Sequence, residues 1–95
     1  MDDGVSEAAE LLKALASPLR LGIVLELRAH HERCVHELVE ALDVPQPLVS
    51  QHLRVLRGAR LIEGRRDGRE VRYSLVDDHI AHIAGDAVAH AKETA

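Results

Sequence analysis

Histidines and carboxylates recur near the end of this 95-residue chain, in the segment DDHIAHIAGDAVAHAKE at residues 77–93. Imidazole nitrogens and carboxylate oxygens are donors that zinc accepts in proteins. On a helix that turns about 100° per residue, His79 and His90 lie about 20° apart in direction, and Glu93 lies within about 40° of His79. His82 and Asp86 fall on the same stripe. The segment is therefore a candidate metal-binding helix, with a solvated polar face as the alternative.

The distance along this helix limits how a metal site could close. Eleven residues at about 1.5 Å each place His79 and His90 roughly 16 Å apart, whereas a zinc–nitrogen bond measures about 2.0–2.1 Å. One chain cannot span that gap. Two antiparallel copies related by a twofold axis can, and they would form two equivalent sites. The predicted ligands are Asp77 and His79 of one chain with His90 and Glu93 of the other.

A second group of metal-binding residue types lies in HHERCVH at residues 30–36. Cys34, with His36 two residues later, is a candidate second metal site, and a packed thiol beside surface histidines is the competing interpretation. Cys34 is the chain's one cysteine, so no intramolecular disulfide can form, as is typical of a reducing cytosol. We recognise no signal peptide and no apolar run of roughly 20 residues, and we expect a soluble, cytoplasmic protein without membrane contact.

Charge is distributed unevenly along the chain. Residues 45–72 carry seven arginines against three acidic residues, a net charge of +4, whereas the remainder carries −8 and the whole chain −4. A basic strip on an acidic protein indicates a local contact with a polyanion, and a merely solvated charged face is the alternative. The composition, 46% hydrophobic with Tyr73 as the one aromatic residue, predicts a single small globular domain over residues 1–95.

The elements that would position these residues begin with two helices. Residues 5–16 place apolar side chains at helical spacing, with Ser6 as a candidate N-cap. Ser17 and Pro18 suit the N-cap and first position of a second helix, which runs to about Arg28. The polar stretch RAHHER at residues 28–33 is interpreted as a loop.

The middle of the chain predicts a helix-turn-helix followed by a hairpin. A short helix over residues 35–42 is broken by Asp43-Val44-Pro45, and helical periodicity resumes at residue 46 or 47 and continues to about residue 60. Residues 70–75 then alternate apolar and polar side chains, and a turn at Asp67-Gly68 joins them to a strand at about 61–65. Residues 33–35 could add a short third strand.

These elements predict a winged helix-turn-helix, which is mainly α with a small β-hairpin in the order α-α-α-α-β-β-α. The helix-turn-helix spans about 34–60, the wing about 61–75, and the terminal helix, which would serve dimerisation and metal binding, about 77–93. A chain this small and poor in aromatic residues often gains stability by dimerising.

The basic residues fall on the two elements that a winged helix presents to nucleic acid. Base edges and phosphates could be contacted from the second helix of the motif, and the DNA backbone from the wing tip. The candidate residues are Gln46, Ser50, Gln51 and Arg54 on the helix and Arg65, Arg66 and Arg69 on the wing. Leu48, Val49, Leu53 and Leu56 are expected to point inward, and His52 is interpreted as a packing or capping residue. A winged helix that contacts protein instead of DNA is the alternative.

The chain resembles the ArsR/SmtB family of bacterial metal-responsive repressors over roughly residues 8–93, in the stretches LLKALASPLRLGIVLEL, CVHELVEALDVPQPLVSQHLRVLRGARLIEGRRDGREVRYSL and DDHIAHIAGDAVAHAKE. The resemblance implies a homodimer that binds a palindromic operator when metal-free and releases it when metal binds. It also implies that the first and last helices form the dimer interface. The family's zinc site on the last helix coincides with Asp77, His79, His90 and Glu93.

The resemblance leaves the metal partly open. Nickel sensors of the family recruit additional histidines, and His82 could supply such a ligand, so nickel is an alternative to zinc as the sensed metal. Cobalt binds the same donor atoms as zinc. The family's thiolate site has a Cys-x-Cys-like pattern in which Cys34 and His36 stand here. Because the second cysteine of that pattern is missing here, we do not expect the protein to sense cadmium, lead or arsenic, which prefer thiolate ligands.

We therefore expect a zinc-responsive transcriptional repressor and not an enzyme. A nickel- or cobalt-responsive repressor of the same fold is one alternative, and a metal-independent winged-helix interaction module is another. A zinc hydrolase is disfavoured because four protein ligands leave no open position for water.

Overall fold

The computed structural model describes residues 2–94, with the side chain of residue 94 left aside. The elements follow the predicted order. They are α1 (Val5–Leu15), α2 (Pro18–His30), α3 (Val35–Leu42), α4 (Gln46–Gly58), β1 (Ile62–Asp67), β2 (Glu70–Leu75) and α5 (Asp78–Thr94). The fold is thus the expected winged helix-turn-helix, mainly α with one hairpin.

The first two helices differ in how they begin. Ser17 caps α2 as predicted, because its Oγ accepts a hydrogen bond from the Arg20 backbone N–H at 3.2 Å. Ser6 is not a cap, because α1 already begins at Val5 behind Gly4, which has a φ of 90°. Helix α2 also continues to His30, so the first half of the expected loop is helical.

The turn between α3 and α4 is short and begins at Asp43. This residue has a φ of 54°, in the left-handed region that aspartate tolerates better than most residues, and its backbone N–H donates to the Val39 carbonyl at 2.9 Å. Pro45 then precedes α4 and accepts backbone hydrogen bonds from Leu48 and Val49. Helix α4 ends at Gly58, about two residues before the predicted end.

The wing is an antiparallel hairpin in which Ile62 pairs with Leu75 and Asp67 with Glu70. Asp67 belongs to β1, so the two-residue loop is Gly68-Arg69 and not Asp67-Gly68. Gly68 has a φ of 64°, as a tight hairpin turn with glycine at its first loop position requires. The expected third strand is reduced to one bridge, in which Arg33 and Tyr73 exchange both backbone hydrogen bonds, at 3.1 and 2.9 Å.

One apolar core connects all five helices to the base of the wing. Its fully buried members include Ile23 and Leu27 on α2, Leu38 on α3 and Leu56 on α4. Leu48 was expected to point inward and is 38% exposed, because it lies about 100° around α4 from the buried direction. Among residues 2–94, no helix is long and apolar enough to cross a membrane.

Candidate functional site

Helix α4 presents its predicted DNA-contact residues to solvent. Gln46, Gln51 and Arg54 are exposed and Ser50 is half-buried, whereas Val49 on the opposite side lies in the core. The helix is thus divided into a face that packs on α2 and α3 and a face that carries amide, hydroxyl and guanidinium groups. Such groups can hydrogen-bond base edges and phosphates.

Arg57 belongs to the same face and was missed by the sequence reasoning. It is exposed and lines a groove of about 260 Å³ together with Ser50, Arg54 and Tyr73. The signal was available, because Arg57 follows Arg54 by three residues and Ser50 by seven, which is helical spacing.

The three wing arginines have different surroundings. Arg66 and Arg69 are exposed near the hairpin loop. Arg65 lies farther from the loop, and its guanidinium donates to the Glu32 carboxylate at 2.9 and 3.3 Å while remaining 60% exposed. This contact raises the pKa of Arg65 and lowers that of Glu32. Arg65 would have to leave Glu32 to reach a DNA phosphate, whereas Arg66 is already turned to solvent.

Two carboxylates hold the wing against the helices. Arg65 and Arg72 are paired directly across the hairpin, where two like charges repel, and Glu32 accepts hydrogen bonds from both. Glu37 lies 3.4 Å from Arg72 and 3.2 Å from Arg33. These ion pairs, with the Arg33–Tyr73 bridge, fix the position of the wing beside α3.

His52 has a structural role, as the sequence indicated. Its Nδ1 lies 2.9 Å from Nη1 of Arg20, whose Nε–H donates to the Ala14 carbonyl at the end of α1. Because a guanidinium can only donate, His52 must accept at Nδ1 in this contact. The pair connects α2 to the inner flank of α4.

The four predicted zinc ligands lie at the two ends of α5. Asp77 precedes the helix, accepts a hydrogen bond from the Ile80 backbone N–H at 3.2 Å, and has a carboxylate oxygen 3.7 Å from Nδ1 of His79. His90 and Glu93 are exposed near the other end of the helix. Within one chain the two pairs are far apart, so the structure brings Asp77 to His79 but does not bring either to His90 or Glu93.

The face of α5 that carries these side chains points away from the chain's own core. Ile80, Ala81 and Ala84 are buried on the opposite side of the helix. Ile83 was expected to belong to the inward apolar stripe, yet it is 37% exposed beside the ligand face. Leu12 on α1 is 54% exposed. Apolar side chains therefore remain uncovered on the first and last helices.

A second group of metal-binding side chains meets between α3 and the wing. Nδ1 of His36 lies 3.2 Å from Sγ of Cys34 and 3.3 Å from Oε1 of Glu70. Cys34 and His36 were predicted to form a candidate site, but Glu70 was not. Glu70 reaches them through the register of the hairpin, for which the local sequence gives no signal.

The fold and this surface together define the class of winged helix-turn-helix regulatory proteins. A family model described as "Bacterial regulatory protein, arsR family" matches residues 17–63. The chain is also 40% identical over 92 residues to a protein of Synechocystis named "Transcriptional repressor SmtB homolog", which covers 97% of this chain and 69% of that protein. The chain belongs to the ArsR family, as the sequence motifs indicated.

Another relative is more similar in sequence but longer. The "HTH-type transcriptional repressor SmtB" of Mycobacterium tuberculosis is 64% identical over 88 residues, which are 93% of this chain and 64% of that repressor. The chain thus spans a little under two thirds of that relative's length. Because these relatives are named as transcriptional repressors, they agree with the expectation that the chain is not an enzyme.

A solved structure agrees in fold. The crystal structure of the transcriptional repressor PagR of Bacillus anthracis superimposes with a TM-score of 0.78 at 38% identity, and the match covers 85% of this chain and 92% of that one. This similarity confirms the winged helix-turn-helix fold.

Proposed function

We propose that this chain is a metal-responsive transcriptional repressor, which binds a palindromic operator as a metal-free homodimer and releases it when zinc binds at the dimer interface. The observation that carries the proposal is the division of the exposed surface. Amide, hydroxyl and guanidinium groups that are able to bind bases and phosphates share α4 and the wing, whereas the imidazoles and carboxylates proposed to bind zinc lie on the outer face of α5 and just before it.

DNA recognition is assigned to α4 and the wing tip. Gln46, Ser50, Gln51 and Arg54 would enter the major groove, where amide and guanidinium groups read base edges. Arg66 and Arg69 would contact the backbone beside it, and Arg65 would join them by exchanging Glu32 for a phosphate. A twofold dimer would present two such surfaces to half-sites about one helical turn apart.

The exposed apolar side chains on α1 and α5 support a dimer. Leu12 and Ile83 are uncovered on the helices that the resemblance assigns to the interface. A second copy that packs on this surface would bury them and would set the start of one α5 beside the end of the other. This arrangement would bring Asp77 and His79 of one chain to His90 and Glu93 of its partner.

The donor chemistry of this set fits zinc. Two imidazoles and two carboxylates supply four nitrogen and oxygen donors, and Asp77 and His79 are already within 3.7 Å of each other. The bound ion would act as a crosslink that holds two terminal helices in one relative position. A nickel- or cobalt-responsive repressor is the second candidate, because His82 on the same exposed stripe could add a donor.

Communication between the two surfaces can follow direct contacts. The guanidinium of Arg28 on α2 lies against Gly85 of α5, and Arg20 on α2 is hydrogen-bonded to His52 of α4. A change in the relative position of the two α5 helices would therefore be passed through α2 to the recognition helices. Coupling is reciprocal, so operator DNA would weaken metal binding by the same factor.

A single binding experiment tests the proposal. A duplex selected by the metal-free protein from a random pool should be palindromic, and its affinity should fall steeply with salt concentration because phosphate contacts release counterions. Adding zinc should lower the affinity at fixed salt, and parallel titrations with cobalt and nickel would rank the metals. A salt-independent complex with a protein and no selected DNA would instead support a winged-helix interaction module.

A further inference from the structure

We propose that Cys34, His36 and Glu70 form a second metal site, contained within one chain, which binds zinc or cobalt(II) and fastens the N-terminus of α3 to the wing. This inference goes beyond the proposed function and does not depend on the site at the ends of α5. It rests on the geometry of three side chains that come from two separate elements.

The donor atoms are already spaced as a tetrahedral ion would require. Zinc bonds of about 2.3 Å to sulfur and about 2.0–2.1 Å to nitrogen or oxygen place neighbouring donors roughly 3.3–3.6 Å apart. The Sγ of Cys34 and Nδ1 of His36 are 3.2 Å apart, and Nδ1 and the nearer oxygen of Glu70 are 3.3 Å apart. All three donors lie within 4.8 Å of one another. Small side-chain adjustments would therefore complete a three-ligand site.

An ion can reach these atoms from solvent. A cavity of about 410 Å³ is lined by all three side chains. Cys34 is buried, with 2% of its surface exposed, whereas the His36 side chain is 69% exposed and that of Glu70 is 45% exposed. The thiol thus forms the inner end of an open pocket, and the imidazole and carboxylate stand at its mouth.

The position of the site gives it a regulatory consequence. The same cavity is lined by Gln46 at the start of α4 and by Arg69 of the hairpin loop, both proposed DNA contacts. Binding of Cys34, His36 and Glu70 to one ion would fix the wing relative to α3 and α4. The spacing between recognition helix and wing tip would then be set by the metal within each chain.

The two sites can be distinguished by their donors. The α5 set has only nitrogen and oxygen donors, whereas this set includes a thiolate, so cobalt bound here should give a thiolate-to-cobalt charge-transfer absorption in the near ultraviolet. The experiment titrates cobalt chloride into the full chain under reducing conditions and follows that absorption, in wild type and in four variants.

The expected results are specific. His90→Ala should retain the charge-transfer absorption at one cobalt per chain, which separates this site from the α5 site. Cys34→Ser should abolish it, and Glu70→Gln should weaken cobalt binding at least about tenfold. Glu63→Gln, which removes a different carboxylate from the wing, should behave as wild type.

Two results would overturn the proposal. One is wild-type protein that binds cobalt without any charge-transfer absorption, which would leave the three side chains as a hydrogen-bonded cluster. The other is an equal cobalt affinity in Glu70→Gln and wild type, measured from the midpoints of the two titrations, which would show that the wing does not contribute a ligand. If Cys34→Ser fails to fold, His36→Gln replaces it, since this side chain is largely exposed, and it should also lose the absorption.

Discussion

Glu37 shows how one side chain can organise the start of α3. Its carboxylate accepts the Cys34 backbone N–H at 3.0 Å and the Cys34 thiol at 3.3 Å, and it pairs with Arg72 and Arg33. The Cys34 hydrogen bonds above all, with help from the two arginines, lower the pKa of Glu37 to about 2. The ionised carboxylate is therefore part of what stabilises α3 and the wing beside it.

The first prediction concerns this carboxylate. In the unfolded chain its pKa should be about 4.3, above its native value, so the stability it contributes is complete above about pH 4.5 and is lost as pH falls towards 2. Glu37→Gln should reduce the free energy of unfolding by about 1–2 kcal/mol at pH 7. That deficit should shrink steadily below pH 4.5, as measured by urea unfolding across the pH range.

Glu40→Gln is the matched control, because it removes an exposed carboxylate from the same helix. It should change stability by no more than about 0.5 kcal/mol at either pH. A Glu37→Gln deficit of the same size at pH 3 and pH 7 would show that the charge of Glu37 is not responsible.

A second prediction separates positioning contacts from sequence recognition. Arg66→Ala should weaken binding to specific and random duplexes alike and should lower the slope of log K against log salt by about one unit per chain, because one phosphate contact is lost. Lys92→Ala removes a cation from α5, away from the DNA face, and should leave the slope unchanged. Fluorescence anisotropy at several salt concentrations measures both. If Arg66→Ala changes the preference for the specific duplex but leaves the slope of log K against log salt unchanged, Arg66 contacts bases and not the phosphate backbone.

At the scale of elements, local signals predict the helices better than the wing contacts. Helical periodicity and the Ser17 cap define α2, and the Asp43-Val44-Pro45 break separates α3 from α4. The hairpin loop was predicted one residue early, because Asp67-Gly68 has strong turn propensity in isolation, whereas pairing Asp67 with Glu70 extends the ladder. The meeting of Glu70 with His36 depends on that register and on the docking of the wing, neither of which is encoded locally.

A third prediction tests how tightly the hairpin is packed. A Cβ added at Gly64 would lie 2.8 Å from Cγ1 of Val71 and 3.4 Å from the Tyr73 ring, and a β-branched side chain has little freedom to move. Gly64→Ala should therefore cost about 1–3 kcal/mol. Gly58→Ala meets nothing within 4 Å at the end of α4 and should stabilise by up to about 1 kcal/mol. The melting temperature should fall in Gly64→Ala and rise in Gly58→Ala. Equal shifts in the two variants would contradict the close packing of Gly64 against Val71 and Tyr73.

At the scale of the whole molecule, much of what the chain is proposed to do requires a second copy. The sequence alone predicts this need, since His79 and His90 are about 16 Å apart on one helix. Helical periodicity alone does not identify the exposed apolar side chains of α1 and α5. It assigns Ile83 to the apolar stripe that faces the core, whereas the docking of α5 on α2 leaves this side chain 37% exposed.

The fourth prediction follows from that surface. Leu12→Glu and Ile83→Glu each place a charge on the proposed interface and should convert the protein to monomers in sedimentation velocity, because burying an unpaired charge is costly. Leu48→Glu is the control, since Leu48 is similarly exposed but lies on α4, and it should stay dimeric. Dimers that persist in both interface variants would place the contact elsewhere.

The most direct test of the central claim is zinc-dependent release of the selected operator by wild type, His90→Ala and Asp86→Asn, at fixed salt and pH. Wild type and Asp86→Asn should lose operator affinity on zinc addition, because the four proposed ligands are intact. His90→Ala should bind the metal-free operator with similar affinity and should keep it when zinc is added. Release of the operator by zinc from His90→Ala to the same extent as from wild type would contradict the assignment of sensing to α5.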